Sequence, residues 1–252
     1  MKISLIYLLA LAILTLACAQ SPKQVLIYTR NEKGEGLYVH DNIETSVKTL
    51  AKICDAHGIR YEVSDDPALY TPENLAKYDA LIFANTNNRA FETQEQRDAF
   101  QHYIRHGGGF MGIHSSCGSE RDWPWFWAMT GGKFVRHPKF QPFDIKVIEP
   151  NHPSTKHLGD VWRWEDECYL IDHLNPDIKI LLAVDLTTIE DDQLDEFPGD
   201  VFGSYYPLAW YHEYDGGRQF YTALGHEISH YADPDFVGHL EGGLLWTVGM
   251  GE

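Results

Sequence analysis

A histidine that directly follows a short apolar run is the clearest chemical signal in this 252-residue sequence. The segment GGGFMGIHSS spans residues 107–116, and its glycines are typical of a helix end followed by a buried parallel strand. Ligands of open α/β sheets bind beyond the carboxyl ends of the strands, so His114 is predicted to lie at such a binding edge. An imidazole there can bind a metal ion or transfer a proton. Acyl transfer of the cysteine kind is not predicted, because His114 stands where a nucleophile would be needed.

Two further segments carry groups that are suited to chemistry. WRWEDECY, residues 162–169, interleaves acids with aromatic rings. Ring faces cover the C–H surfaces of sugars, so this composition is found in carbohydrate sites, although a solvated edge strand has it as well. Within this segment, Glu167 is a candidate functional carboxylate and Trp164 a candidate substrate contact. His226 follows the run FYTALG and is predicted to lie just past another strand.

Imidazole and carboxylate groups together are suited to a divalent metal such as Zn²⁺. The candidate ligands are His40, His114, Glu167 and His226. The candidate catalytic residues are His114, Glu167 and His226, as bases, acids or ligands. No two of these residues have a local ligand spacing such as H-E-x-x-H, so only the tertiary structure can bring them together.

Polar residues at the same predicted edge of the sheet are candidate substrate contacts. Arg30 flanks the first strand, Asn85 ends the third, and Ser115 follows His114. Ser115 offers a hydroxyl and a backbone N–H to a sugar oxygen or an anion, and helix capping is the alternative interpretation. A structural role is predicted for three histidines in proline-rich loops, namely His137, His152 and His157.

The elements that must position these residues alternate between strand and helix. Strands are predicted at QVLIYT, RYEVS, DALIFAN and FMGI, with helices over 41–57 and 93–106; the second helix opens with a capping-box pattern. This alternation predicts an α/β fold with a doubly wound parallel sheet of flavodoxin-like type. After residue 132, FDIKVIE, VWRWEDECYL and KILLAVD indicate additional antiparallel or edge strands. A hairpin is predicted around 215–217, and a last helix from about Pro234.

Charge and cysteine content exclude several classes of protein. A formal net charge of −17 argues against binding to nucleic acid or to an anionic lipid surface. Of the four cysteines, the three that follow the apolar start of the chain, Cys54, Cys117 and Cys168, are odd in number and without close pairing, so no disulfide framework is predicted. A single pair in an oxidising compartment stays open.

The first residues have the composition of a secretory signal. A lysine, an apolar run and small residues predict a signal peptide over 1–19, followed by one domain over 23–250. Two processing routes remain open: a lipobox-like cleavage that leaves Cys18 lipidated, or release of a soluble protein by cleavage after an A-x-A pattern. Both place the protein in the periplasm or outer cell envelope. The predicted partners are a small-molecule sugar, a lipid anchor and a second copy of the chain.

Several motifs together resemble the ThuA-like family, named for trehalose utilisation. They include Arg30 with His40, KYDALIFAN, GGGFMGIHSS, WPWF with GGKFVRHP, NHPST, WEDECY and PLAWYHEYDGGRQFYTALGH. The family is similar in fold to class I glutamine amidotransferases but lacks their cysteine at the turn. The resemblance implies a doubly wound sheet of this type, a role in bacterial breakdown of disaccharides and glycosides, including routes through 3-keto-sugars, and in some members a divalent metal. By position, it marks His40, His114, Glu167 and His226.

Two functions of different classes follow as hypotheses. The first is an enzyme that acts on a 3-keto disaccharide or glycoside by proton abstraction and elimination, or by hydrolysis, with the assistance of a metal. The second is a non-catalytic sugar-binding or assembly subunit with an amidotransferase-like fold. An amidotransferase or peptidase would need a nucleophile, and Cys117 lies three residues past His114, beyond the expected turn.

Overall fold

The computed structural model describes residues 21–193 and 204–251. The predicted signal peptide, including Cys18, lies outside the described residues. Within the described part, the main sheet has nine strands in the order β2-β1-β3-β4-β11-β10-β9-β6-β7. The first five of these strands are parallel to one another: β2 (Arg60–Ser64), β1 (Gln24–Tyr28), β3 (Ala80–Ala84), β4 (Gly109–Ile113) and β11 (Gly217–Thr222). The doubly wound α/β fold is therefore confirmed.

Alternation along the strands creates an apolar layer on each side of this sheet. In β1, Val25 and Ile27 belong to one core cluster, and Leu26 and Tyr28 belong to the other. Strands buried on both faces are continuously apolar, which explains the runs in the sequence. The first layer is completed by α1 (Ile43–His57) and α5 (Pro234–Thr247), and the second by α3 (Gln94–Arg105) and α4 (Pro124–Thr130). A short helix, α2 (Pro72–Leu75), precedes β3.

Local signals set the helix ends close to their predicted positions. The side chain of Thr93 accepts a hydrogen bond from the backbone N–H of Gln96, and the side chain of Gln96 accepts one from the N–H of Thr93, which is the predicted capping box. Gly58 ends α1 with a φ of 65°, a left-handed conformation that glycine adopts without a Cβ penalty.

The antiparallel half extends the sheet from the hairpin of β10 (Tyr205–Tyr214) and β11. Tyr214 pairs with Gly217, so the predicted hairpin has a two-residue turn, in which Asp215 and Gly216 both have positive φ. Beyond β10 lie β9 (Lys179–Asp185), β6 (Gln141–Val147) and β7 (Val161–Asp166). A separate two-stranded sheet pairs β5 (Lys133–Arg136) with β8 (Leu170–Asp172).

The prediction of one strand over VWRWEDECYL was wrong. The chain leaves the main sheet after Asp166, and Leu170 already belongs to the small sheet. The Asp166 carboxylate accepts a hydrogen bond at 2.8 Å from the backbone N–H of Glu167, the next residue. Such a local side-chain bond competes with the ladder of a sheet, and it turns Glu167 out of the strand.

No helix among residues 21–193 and 204–251 is both long and apolar enough to span a bilayer.

Candidate metal centre

His114 occupies a strained position at the carboxyl end of β4. Its φ is 48°, in the left-handed region that non-glycine residues rarely adopt, and its side chain is fully buried. Gly112 permits the tight turn that follows, because a Cβ there would lie 2.5 Å from Oγ of Ser116. The Nδ1–H of His114 donates to the carbonyl of Ala223 at 2.7 Å, which leaves Nε2 as the unprotonated nitrogen. The fold thus fixes both the tautomer and the direction of this imidazole.

His40 completes the buried half of the site. It lies in the loop between β1 and α1, and its Nε2 is 3.1 Å from Nε2 of His114. The two rings are nearly perpendicular, with centroids 4.7 Å apart. Nδ1 of His40 is buried and makes no hydrogen bond within the described structure.

Glu167 and His226 form the more accessible half. Oε2 of Glu167 is 3.7 Å from Nε2 of His114 and 3.2 Å from Nδ1 of His226. The imidazole of His226 and the carboxylate of Glu167 thus form an ion pair when His226 is protonated. One ligand atom from each of His40, His114, Glu167 and His226 lies within 4.8 Å of the others. The four residues that the sequence singled out are therefore brought together.

The electrostatics of the four groups suit a cation. Burial, together with the neighbouring imidazoles, lowers the pKa of His40 to about 4 and holds the pKa of His114 well below its usual value, so both rings are neutral. Burial alone would raise the pKa of Glu167, but His226 and His137 outweigh it and lower that pKa. Burial lowers the pKa of His226, but the neighbouring Glu167 carboxylate has the larger effect, so the pKa of this imidazole is raised.

Two buried polar residues position the accessible half. Oδ2 of Asp166 accepts a hydrogen bond at 2.9 Å from the N–H of Gly225, and its Oδ1 accepts the bond from the N–H of Glu167. Nδ2 of Asn42 donates to the carbonyls of Gly225 and His226 at 2.7 and 2.6 Å. Burial raises the pKa of Asp166 to about 7, although the N–H of Gly225 and the indole of Trp164 oppose this shift. Asp166 therefore ties the segment that carries Glu167 to the segment that carries His226.

Sequence reasoning missed two residues beside the group. The hydroxyl of Tyr169 lies 3.0 Å from Nε2 of His114, and Nε2 of His137 lies 3.5 Å from Oε1 of Glu167. Tyr169 shares its segment with Glu167, a signal that could have been used. His137 was assigned a structural role from its proline-rich loop, and nothing in the local sequence indicates that this loop folds back towards Glu167.

The four predicted substrate contacts lie around the group rather than within it. Arg30 forms an ion pair with Glu92 at 2.7 Å. Asn85 is buried, and its Nδ2 donates to the hydroxyl of Tyr231 at 2.9 Å. The Trp164 indole donates to Asp166 at 2.9 Å and is largely buried. Oγ of Ser115 is buried without a hydrogen-bond partner in the described structure.

Cys117 does not provide a nucleophile. Its Sγ lies 2.7 Å from the hydroxyl of Tyr221, and burial raises the pKa of the thiol to about 12. A neutral, fully buried thiol is unreactive at physiological pH. The turn therefore holds an imidazole in place of an activated cysteine.

A cavity of the described structure lies elsewhere. Its volume is about 580 Å³, and it is lined by residues at the amino-terminal edge of the parallel strands, including Lys23, Asp79 and Gly108. Ligands of doubly wound sheets bind at the opposite, carboxyl edge, where His114 lies. This cavity and the four-residue group therefore lie at opposite edges of the sheet.

The donor set fits a divalent metal. Nitrogens of three imidazoles and a carboxylate oxygen converge within 4.8 Å of one another, as expected of atoms that are directed at a cation. The side chains of His114 and Glu167 are 0% and 14% exposed, so the group has a closed back and an accessible front. An accessible front is typical of catalytic rather than structural metal sites.

The fold and the site define a doubly wound α/β protein in which three histidines and a carboxylate cluster at the carboxyl end of a central strand. The family model described as ThuA, trehalose utilisation, matches residues 24–247, and the chain belongs to this family. That membership supports a role related to carbohydrates.

Solved structures are similar in fold to this chain. A ThuA-like protein from Bacteroides uniformis is 25% identical, with a TM-score of 0.72, and the match covers 91% of this chain and 93% of that one. A ThuA-like protein from Parabacteroides merdae is 18% identical, with a TM-score of 0.63 and 90% coverage of both chains. A β-galactosidase from Rahnella sp. R3 shares the fold at 18% identity and a TM-score of 0.53, over 87% of this chain and 30% of that one. No curated protein matches the chain significantly.

Proposed function

We propose that this protein is an enzyme of carbohydrate catabolism that cleaves 3-keto disaccharides or glycosides, with a divalent metal held by His40, His114, Glu167 and His226. The convergence of these four side chains at the carboxyl edge of the sheet is the observation that carries the proposal. When bound, a divalent ion such as Zn²⁺ supplies a Lewis acid that polarises a ketone oxygen and stabilises negative charge on it.

The chemistry of a 3-keto-sugar explains why imidazoles and a carboxylate suffice. The ketone acidifies the C–H bond at C2, so a general base can remove that proton. The C–H electron pair forms the enolate, the C1–O glycosidic bond then breaks, and the leaving oxygen takes up a proton. Addition of water to the unsaturated product completes a net hydrolysis. No cysteine or serine nucleophile is required, in agreement with the buried, neutral Cys117.

We assign the role of the base to His137. Its Nδ1–H donates to the carbonyl of Pro138 at 2.8 Å, which leaves Nε2 free to accept a proton. That Nε2 lies 3.5 Å from Oε1 of Glu167, beside the four-residue group but outside it. His137 can therefore take a proton while His114 and His226 act as ligands.

The first experiment measures the metal. Purified protein is stripped with a chelator, reloaded separately with Zn²⁺, Mn²⁺, Co²⁺ or Ni²⁺, and analysed for bound metal. We expect about one ion per chain, and we expect His114→Ala and His226→Ala to lose it. His102→Ala, at an exposed histidine of α3, is the matched control and should retain the ion. Stoichiometric binding that survives both substitutions would place the metal elsewhere.

The second experiment measures turnover of 3-keto-trehalose and of a 3-keto-glucoside. We expect His114→Ala and His226→Ala to lose about 100-fold or more of the activity, and His137→Ala to lose activity while it retains the metal. Unchanged turnover in all three variants removes the assignment. Sugar binding without product formation, with or without Zn²⁺, would instead favour a non-catalytic sugar-binding subunit.

Location in the cell envelope is part of the proposal. It rests on the composition of residues 1–19 and on Cys18. Fractionation of the native host, with the Cys18→Ser variant beside the wild type, distinguishes a lipid-anchored protein from a released one. A cytoplasmic wild-type protein would contradict the proposed location.

A further inference from the structure

Two exposed aromatic rings flank the accessible front of the metal centre. Tyr38, in the loop between β1 and α1, is 57% exposed, and Phe140, between β5 and β6, is 39% exposed. The ring centroids of Tyr38 and Phe140 lie 6.4 and 6.0 Å from that of His226. Large apolar side chains scattered singly over a surface need no explanation. Tyr38 and Phe140, however, both contact His226 from separate loops, so we consider them together.

Histidines at this edge of the sheet hold both rings. Tyr38 packs edge-on against His40, with centroids 4.8 Å apart, and its carbonyl accepts a hydrogen bond at 3.4 Å from Nδ2 of Asn87. Phe140 stacks on His230 with an interplanar angle of 13°. The rings are therefore anchored on histidines of this edge, and a large part of each surface is left in solvent. Such rings are rigid apolar contacts at low cost in conformational entropy.

The charges nearby decide which ligand fits these rings. Oε1 of Glu227 lies 3.8 Å from Nε2 of His226, and Glu167 lies 3.2 Å from the same imidazole, so carboxylates border the space next to the rings. With a formal net charge of −17, the protein repels an anionic ligand such as a sugar phosphate. A neutral pyranose fits both features, because its C–H face packs on aromatic rings and its hydroxyls donate to carboxylates.

We propose that Tyr38 and Phe140 form a stacking subsite for a neutral pyranose ring of the substrate, next to the four-residue group. This inference rests on the proposed function, since it assigns the substrate class of the same site. The subsite orients one sugar unit next to the four-residue group and His137. Tyr38 and Phe140 are thus specificity-determining residues, and neither takes part in metal binding.

The test is calorimetric titration of the Zn²⁺-loaded protein with trehalose and with methyl α-D-glucoside. We expect Tyr38→Ala and Phe140→Ala each to weaken binding of these probes about ten-fold, which corresponds to the loss of one stacking contact. Tyr38→Phe keeps the ring and should keep the affinity within about two-fold. Tyr61→Ala, at a ring that is 40% exposed on the edge strand β2, is the matched control and should bind as the wild type does.

The outcomes separate the subsite from the metal centre. If the wild type binds Zn²⁺ but neither sugar, or if both alanine variants bind the sugars normally, the subsite is overturned and the metal assignment stands. If sugar binding depends on the rings and the stripped wild type takes up none of the four metals on reloading, the subsite stands and the metal assignment fails. Tighter, ring-dependent binding of glucosamine or glucose 6-phosphate than of methyl α-D-glucoside would overturn the assignment of a neutral ligand.

Discussion

Two groups of histidines in the described structure, one at the carboxyl edge of the sheet and one in the core, differ in whether their ring nitrogens converge with a carboxylate. The group at the carboxyl edge joins three imidazoles to a carboxylate, with ligand atoms within 4.8 Å of one another. The second group, the core pair, consists of His152 and His239. Nδ1 of His152 accepts a hydrogen bond from the backbone N–H of Ser154, and Nδ1–H of His239 donates to the carbonyl of the same residue.

The surroundings of the two groups differ as much as their hydrogen bonds. The rings of the core pair pack on Phe220, with His152 nearly parallel to it. Burial alone lowers the pKa of His152 to about 4, and for His239 burial is the largest cause of a pKa of about 3. At the carboxyl edge, Glu167 adds a negative charge that raises the pKa of His226. Burial alone therefore does not tell a structural histidine from a functional one. Convergence with a carboxylate distinguishes the two groups.

The largest predicted effect is the loss of metal affinity on substitution at the carboxyl edge. His114→Ala removes a fixed, unprotonated nitrogen, so we expect the affinity for Zn²⁺ to fall by about 100-fold or more. His239→Gln, in the core pair, should leave it within about two-fold. Competition titrations with a chromophoric chelator measure both variants. Equal losses of Zn²⁺ affinity in His114→Ala and His239→Gln would show that the carboxyl-edge group is not the metal site.

A second prediction concerns the residue that positions the carboxyl edge. Asp166→Asn replaces an oxygen acceptor by an N–H₂ group facing the N–H of Gly225 or of Glu167, which loosens both segments. We expect Zn²⁺ affinity to fall by about 10- to 100-fold, as is usual when the partners of ligands are lost. Circular dichroism checks that the variant is folded. Wild-type affinity in a folded variant would show that Asp166 serves stability alone.

The core pair predicts a loss of stability in acid. Its folded-state pKa values lie at about 3 and 4, below the usual 6.5, so the unfolded chain binds protons that the folded chain does not. The stabilisation is complete above pH 6.5 and is lost as the pH falls towards 4. We expect each histidine to remove about 2 kcal/mol from the free energy of unfolding between pH 7 and pH 4.5.

Urea denaturation in the presence of a chelator measures this acid effect without any contribution from metal binding. His239→Gln keeps an N–H donor but cannot be protonated, so its stability should fall less steeply with pH. His157, a neighbour whose charge also lowers the pKa of His239, should be changed to Gln in a parallel control. Identical slopes in wild type and His239→Gln would mean that His239 does not carry the acid sensitivity.

The smallest predicted effect lies at the serine between the two core histidines. Ser154→Ala removes a hydroxyl that lies 2.8 Å from Nδ1 of His152, and we expect a loss of about 1 kcal/mol in the free energy of unfolding. Affinity for Zn²⁺ should stay unchanged, because Ser154 supports only the core pair. A measurable loss of metal affinity would indicate that the two groups are coupled through the sheet.

Much of the fold follows from local signals. The apolar runs at 24–29 and 80–85, the capping box at Thr93 and the turn at Asp215 each specify one element, and the structure contains all four. The prediction of a single strand over VWRWEDECYL failed because a local hydrogen bond interrupts it. The Asp166 carboxylate accepts a hydrogen bond from the N–H of Glu167, and the segment forms β7 and β8 instead. That break turns Glu167 towards His114, so the error in the fold lies at the candidate site itself.

By itself, the sequence determined the order of the main strands and helices from β1 to β4 and the position of His114 at a strand end, because hydrophobic period, caps and glycine turns act over a few residues. It also pointed to His40, Glu167 and His226, which lie far apart in the chain. Only the tertiary structure decided that these four converge, that His137 and Tyr169 join them, and that His152 and His239 do not. The reason is physical: the direction of an imidazole lone pair is set by hydrogen bonds to distant backbone atoms, such as that from His114 to Ala223, and no local pattern encodes those bonds.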